Sequence, residues 1–250
     1  WAARRSFAGC FMPAALITKL ETSVALSDDD RQSIALAAFK RRSVPARQDI
    51  CRENEPSDGV IVVLDGFAAR FRSLQSGKRQ IVGYGLPGDL LDVADTTGAN
   101  QTTYGVCALA PTTFARIPRA DIAAMMAESA RIARAMWNAQ GEQMSIACEW
   151  LLNVGQRTAE QRIAHLFCEQ YFRLRAIGQV RDGAFALPVT QRDLADSAGL
   201  TNVHVNRVLK GLRQDGLLTL ENGVATILDL QRLLDRAEFD PRYLHLCHCA

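Results

Sequence analysis

Between Thr201 and Gln214 the chain reads TNVHVNRVLKGLRQ, which holds three basic residues and no acidic one. At helical spacing, Val205, Val208, Leu209 and Leu212 fall on one stripe, the face that should bury. Asn202, Val203, Asn206, Arg207, Lys210 and Arg213 fall mostly on the other. A solvated helix usually mixes both signs of charge, as DRAEFDPR does further along this chain. The free face here carries side chains suited to base edges in a major groove. An arginine such as Arg207 donates two hydrogen bonds to guanine, Asn202 or Asn206 can pair similarly with adenine, and Val203 can meet a thymine methyl. Lys210 and Arg213, one or two turns further on, suit phosphate.

Such a helix reads nothing unless it is held outward. Upstream, Thr190 with Asp193 three residues later forms a capping box that starts a helix. Ala195 is small where a second helix must cross, and Gly199 supplies the left-handed turn. With Val205 buried six residues beyond, this is the spacing of a helix-turn-helix. Thr190, Gln191, Thr201 and His204, at the starts of the two helices, complete the expected contact set. The following TLENGVATI is a hairpin around Asn222-Gly223, the pair favoured in a two-residue type I′ turn. It would form the wing of a winged helix.

Residues 40–118 read instead as short strands divided by turns. GVIVVLDGFAARFRSL gives two runs around Asp65-Gly66, KRQIVGYGLPGDLLDV another before Pro87-Gly88, and TTYGVCALAPTTFARIP two more around Ala110-Pro111. Such spacing predicts a small sandwich or barrel. From residue 119 to about Val154 proline is absent, and the pattern predicts one long helix, with Gly141 as a weak point. Met125, Ser129, Ile132, Met136, Ala139, Gln143, Ile146 and Trp150 follow steps of four and three, and six of these eight are apolar. That is the seam of a two-stranded coiled coil, and it predicts a homodimer. AEQRIAHLFCEQYFRLRAIG then reads as an amphipathic helix. The expected fold is α+β: a jelly-roll-like β-roll with an N-terminal helical arm over 1–118, a dimerisation helix over 119–155, and a winged helix-turn-helix with a C-terminal tail over 156–250.

Lysine and arginine total 29 against 27 acidic residues, a net charge of +2, so the asymmetry lies in the free helix face and not in the whole. No run approaches the ~18 apolar residues of a membrane span. The start, WAARRSFAGCFMPAALITKL, imitates a signal peptide but is interrupted by Pro13. Seven scattered cysteines fit a reducing cytoplasm better than a disulfide framework. The expectation is a cytoplasmic protein with no membrane partner.

In the order of its parts the chain resembles the Crp/Fnr family of bacterial transcription regulators, from about residue 20 to residue 240. VIVVLDGFAARF, GYGLPGDLLD and TQRDLADSAGLTNVHVNRVLKGLRQDGLL carry the likeness. The resemblance implies a homodimer on a near-palindromic promoter site in double-stranded DNA, with half-sites one helical turn apart, and contact with RNA polymerase if the protein is an activator. It also implies an effector pocket around Asp89, Leu90, Leu91, Asp92, Thr102 and Thr103. Family members that bind cyclic AMP continue the turn to a Gly-Glu pair, and place an Arg-Ser or Arg-Thr pair downstream. Asp92-Val93 and Thr102-Thr103 stand there instead. The phosphate loses its arginine and meets an added carboxylate, so cyclic AMP is not expected in the usual mode. Many relatives also place a cytosine-reading Glu where Val203 stands, so the target should differ from the commonest half-sites.

No cofactor is expected. The four histidines, His165, His204, His245 and His248, all lie outside the strand region, which removes the usual ligands of a haem or of a metal-dependent oxygenase. No nucleophile–base pair stands out, and the chain does not read as an enzyme. Cys10, Cys51, Cys107 and Cys148 are too dispersed for a four-cysteine cluster. Three possibilities remain for the front domain: another small molecule, a pocket filled by side chains, or redox chemistry at Cys107 or Cys148. The terminal HLCHCA, with His245, Cys247, His248 and Cys249, could bind a soft metal but reads as a disordered tail. The competing reading of the whole is a ligand- or redox-sensing protein whose winged helix contacts protein.

Overall fold

The computed structural model describes residues 14–36, 40–57, 59–91 and 101–246. Two short helices, α1 (Ala14–Glu21) and α2 (Asp28–Leu36), precede eight strands. These are β1 (Lys40–Val44), β2 (Asp49–Cys51), β3 (Gly59–Asp65), β4 (Ala68–Ser73), β5 (Arg79–Gly85), β6 (Leu90–Leu91), β7 (Gly105–Ala108) and β8 (Thr112–Pro118). They form two antiparallel four-stranded sheets, ordered β1-β8-β3-β6 and β2-β7-β4-β5. Consecutive strands β3 and β4 therefore sit in different sheets. The chain crosses between them at Gly66, whose φ is +96° and where a Cβ would lie 2.5 Å from the Pro111 carbonyl oxygen. Only glycine fits that corner.

The run GVIVVLD is unbroken because both faces of β3 are covered. Ile61 and Val63 join Ala68, Leu91, Val106 and Phe114 inside the roll. Val60 and Val62 face outward onto Leu16, Leu20, Ile132 and Met136. The second sheet is covered likewise. Ala69, Ile81 and Tyr84 on its outer face share one core with Ile146, Trp150 and the C-terminal domain.

The single helix expected from residue 119 is two. α3 (Arg119–Glu128) stops at Ser129, which has extended φ and ψ and caps α4 (Ala130–Gln156) by accepting from the Ile132 N–H. Ser129 also donates to buried Asp30, 2.6 Å away. A serine that accepts from the Ile132 N–H and donates to Asp30 does better as a cap than inside a helix. At Gly141 α4 runs on without a break.

The expected seam is corrected as well. Ile132, Met136, Ile146 and Trp150 are buried against their own chain, Gln143 accepts from Arg70 at 2.6 Å, and Ala139 packs beside them. Met125 lies on the separate α3. This face of α4 is the one that holds the roll. A second stripe with the same period, one residue further on, points away: Trp137, Met144 and Leu151 are 77%, 67% and 76% exposed.

α5 (Ala159–Ala176) starts on a capping box of Thr158 and Gln161. Its residues 163–170 are buried on every side and not on one face, because it lies between the roll and the rest of its domain. Then come β9 (Ala184–Ala186), α6 (Gln191–Ala198), α7 (Asn202–Gln214), β10 (Leu218–Glu221), β11 (Val224–Ile227) and α8 (Leu230–Ala237). A terminal 3-10 turn, Pro241–Leu244, closes on α4, with His245 hydrogen-bonded to Ser145. Cys247, His248 and Cys249 lie outside the described residues, as do Cys10 and Asp92.

Candidate nucleic-acid interface

Local chemistry builds the helix pair as the spacing requires. Thr190 accepts from the Asp193 N–H while the Asp193 carboxylate accepts from the Thr190 N–H, 2.8 Å away. Gly199 ends α6 in the left-handed region at φ +65°. Thr201 then caps α7 by accepting from the His204 N–H. Arg162 of α5 donates to the Ala198 carbonyl at 3.0 Å, which fixes the turn from behind. Val205, Val208 and Leu212 are buried and Leu209 is half-buried, so the apolar stripe of α7 packs on α5 and α6.

The opposite side of α7 faces out. Thr190, Gln191, Thr201, Asn202, Val203, His204, Asn206, Arg207, Lys210 and Arg213 are all exposed, Val203 at 72%. Asn206 and Gln191 are within 3.4 Å of each other, which ties the start of α6 to the middle of α7. Arg213 lies 3.9 Å from Glu221 on β10. Asn222 and Gly223 both have positive φ, +51° and +75°, as a type I′ hairpin demands. Lys210, Arg213, Asn222 and Gly223 line one groove between α7 and the hairpin. Exposed valine and asparagine beside the cations Arg207 and Lys210 form a surface that can meet both base edges and phosphates.

The described members of the expected effector set do not converge on one pocket. Leu90 and Leu91 point into two different cores on either side of β6. Thr102 is buried, and its hydroxyl donates to the Arg52 carbonyl at 2.5 Å. Thr103 is exposed, and its carbonyl accepts from Arg72. Asp89 is 2% exposed and accepts from Arg173 of α5 at 2.6 Å and from the Leu86 N–H at 2.7 Å, with Lys19 of α1 at 3.6 Å. Lys19 in turn holds Glu142 of α4 at 2.6 Å, and Arg173 lies 3.5 Å from Glu169. Trp150 and Tyr243 also donate to Glu169. This buried polar cluster joins α1, the roll, α4, α5 and the terminal turn. Sequence reasoning missed it, although a Lys, an Arg and a Glu inside otherwise apolar helical stripes were its visible trace.

A second polar contact links the roll to α6. Arg79 of β5 reaches Asp193 at 3.0 Å and Asp196 at 2.9 Å, and Arg47 reaches Asp193 at 2.6 Å. Burial alone would raise the Asp193 carboxyl, but hydrogen bonds from Thr190 and Arg47 outweigh it and hold the group below the ordinary carboxylate value. Burial works against the Arg79 charge, and Asp196 and Asp193 more than restore it. Cys107 lies 3.9 Å from Arg79, yet burial pushes its thiol up, away from the thiolate that redox chemistry uses. Cys148 is exposed on α4.

Comparison with known proteins fits this geometry. Residues 41–129 match the cyclic nucleotide-binding domain family, and residues 161–236 match the Crp-like helix-turn-helix domain. The transcriptional activator protein FnrL of Cereibacter sphaeroides is 29% identical over 204 residues, covering 80% of this chain and 81% of that protein. The nitrogen fixation regulation protein FixK of Bradyrhizobium diazoefficiens is 28% identical over 186 residues, 74% of this chain and 77% of that protein. Among solved structures, FixK2 from Bradyrhizobium japonicum superposes with a TM-score of 0.69 at 25% identity, covering 80% of this chain and 97% of that one. With both domains in the family's order and relatives aligned across both, the chain belongs to the Crp/Fnr family of DNA-binding transcription regulators.

Proposed function

We propose that the protein is a homodimeric reader of near-palindromic promoter DNA, with α7 in the major groove. The observation that carries this reading is the free face of α7, where Arg207 and Lys210 stand exposed with no ionic partner among the described residues. Arg207 reads guanine, Asn202 and Asn206 suit adenine, and Val203 meets a thymine methyl. Thr190, Gln191, Thr201, His204, Lys210 and Arg213 hold the backbone.

The partner helix of the dimer is a second copy of α4, packed through Trp137, Gly141, Met144, Cys148, Leu151 and Gly155. These six alternate steps of four and three, as a self-complementary seam requires. A Cβ at Gly141 or Gly155 would meet nothing within 4 Å in its own chain, so their smallness serves close approach by another helix. The front domain does not hold a cyclic nucleotide in the usual mode. Support comes from Asp89 and Thr102, which are taken up by the protein's own groups, and from the missing arginine. The names of FnrL and its kin mark them as activators, and an activator of this kind engages RNA polymerase in the cytoplasm.

The test is selection of bound duplexes from a random pool by the ligand-free protein. Enrichment of a palindrome with half-site centres about 10 bp apart is expected. Recovery of no motif, with only salt-sensitive binding, would remove DNA reading by the free form.

A further inference from the structure

α6 is held by more than its own domain. The Asp193 carboxylate already completes the capping box with Thr190, which is all the helix start needs. The same carboxylate, 2% exposed, also accepts Arg47 and Arg79 from the roll. Arg79 bridges on to Asp196 one turn later, and its guanidinium lies over the Phe71 ring at 5.7 Å. Ser197, the next residue of α6, takes two more bonds from β5: its hydroxyl meets the Tyr84 hydroxyl at 2.7 Å, and its carbonyl accepts from Gln80 at 3.1 Å. All these contacts fall on the side of α6 turned to the roll, whereas Gln191 and the reading face of α7 point away.

We infer that Arg79, with Arg47, is a positioning residue for DNA recognition: the clamp fixes the helix-turn-helix on the β-roll with its reading face outward. The inference rests on the dimeric DNA-reading assignment above. α4 ends at Gln156 and α5 begins at Ala159, so the covalent link between the domains is only Arg157 and Thr158. Arg173 pins α5 to the roll at Asp89, 2.6 Å away, and the clamp on α6 is a second point of attachment, which sets the tilt about the first. Arg162 locks the α6–α7 turn to α5, so whatever fixes α6 fixes α7 with it. In a dimer two reading helices must meet successive major grooves together, and the gain from the second contact depends on that geometry. The clamp therefore acts on simultaneous engagement and not on the individual half-site contact.

The test compares full-length dimers on a duplex with two half-sites and on one with a single half-site, at fixed salt. Arg79→Ala is expected to lower affinity for the two-site duplex about tenfold or more, while single-site affinity stays within about twofold. The exchange Arg79→Asp with Asp196→Arg should restore part of the loss, which neither change does alone. Spectroscopic probes at Asp65 and Glu221 should show a broader distance distribution in Arg79→Ala without any DNA. An equal loss on both duplexes, or an unchanged distance distribution, overturns the positioning role. Failure of the wild-type chain to prefer the two-site duplex overturns the dimeric reading on which it rests.

Discussion

The reading face of α7 and the cluster around Asp89 treat charge in opposite ways. On α7, Arg207 and Lys210 stand in water with no counter-ion among the described residues. Around Asp89, every charge is buried and met by another: Arg173 by Asp89 and Glu169, Lys19 by Glu142 and Asp89. An exposed cation costs the free protein little and is available to a phosphate or a base. A buried ion must be paired, since desolvation without a partner is expensive. The first arrangement is directed at something outside the molecule, and the second is part of what holds the molecule together. The two should therefore fail in different assays.

The largest effect is expected inside. Arg173→Met removes the guanidinium that Asp89 and Glu169 share, leaving Asp89 with Lys19 at 3.6 Å and buried Glu169 with the neutral donors Trp150 and Tyr243. The loss should be about 3–5 kcal/mol of folding stability, read as a lower midpoint in denaturant at unchanged slope. Any fall in DNA affinity should track the folded fraction. A variant that kept full stability and lost only binding would erase the distinction between the two regions.

Next comes Arg207→Ala, expected to cost roughly 1–3 kcal/mol of specific affinity and to relax preference at one base pair. Its folding stability should stay within about 0.5 kcal/mol of the parent, as for exposed residues away from structural features. Competition against duplexes substituted one position at a time separates this from a uniform loss.

The contrast between regions also marks how far the sequence could be read. The helix pair and its hairpin were legible because their signals are local: a capping box, a left-handed glycine, an Asn-Gly turn and a face without acidic residues. The strands were legible for the same reason, from turns at Asp65-Gly66, Pro87-Gly88 and Ala110-Pro111, but their pairing was not, since each of these turns carries the chain from one sheet to the other. The face of α4 was not. Two stripes share its four-three period, offset by one residue, which is about 100° of rotation. Period alone cannot say which one meets the roll. The richer stripe, with Ile132, Met136 and Ile146, went to the core; Trp137, Met144 and Leu151, repeating every seven residues, marked the outer face. The Asp89 cluster left only scattered charged residues as a trace, because its members, from Lys19 to Tyr243, are up to 224 residues apart and meet only through tertiary packing. The break at Ser129 depends on Asp30, 99 residues earlier, and is hidden for the same reason.

The smallest effect separates two cations on one helix. Lys210 and Arg213 line the same groove beside the hairpin, but Arg213 has Glu221 at 3.9 Å and Lys210 has no such neighbour among the described residues. An exposed pair is mostly screened, yet the nearby carboxylate leaves Arg213 the less effective counter-ion for DNA. Lys210→Ala should therefore remove one phosphate contact, making the slope of log K against log salt shallower by about 0.9. Near 0.15 M salt that slope corresponds to roughly a fivefold loss. Specific and non-specific duplexes should lose it alike, because a phosphate contact carries no sequence information. Arg213→Ala should change the slope less. If Lys210→Ala altered base preference while Arg207→Ala altered only the slope, the reading and anchoring roles would have to be exchanged, and α7 would lie in the groove shifted along its axis by nearly a turn.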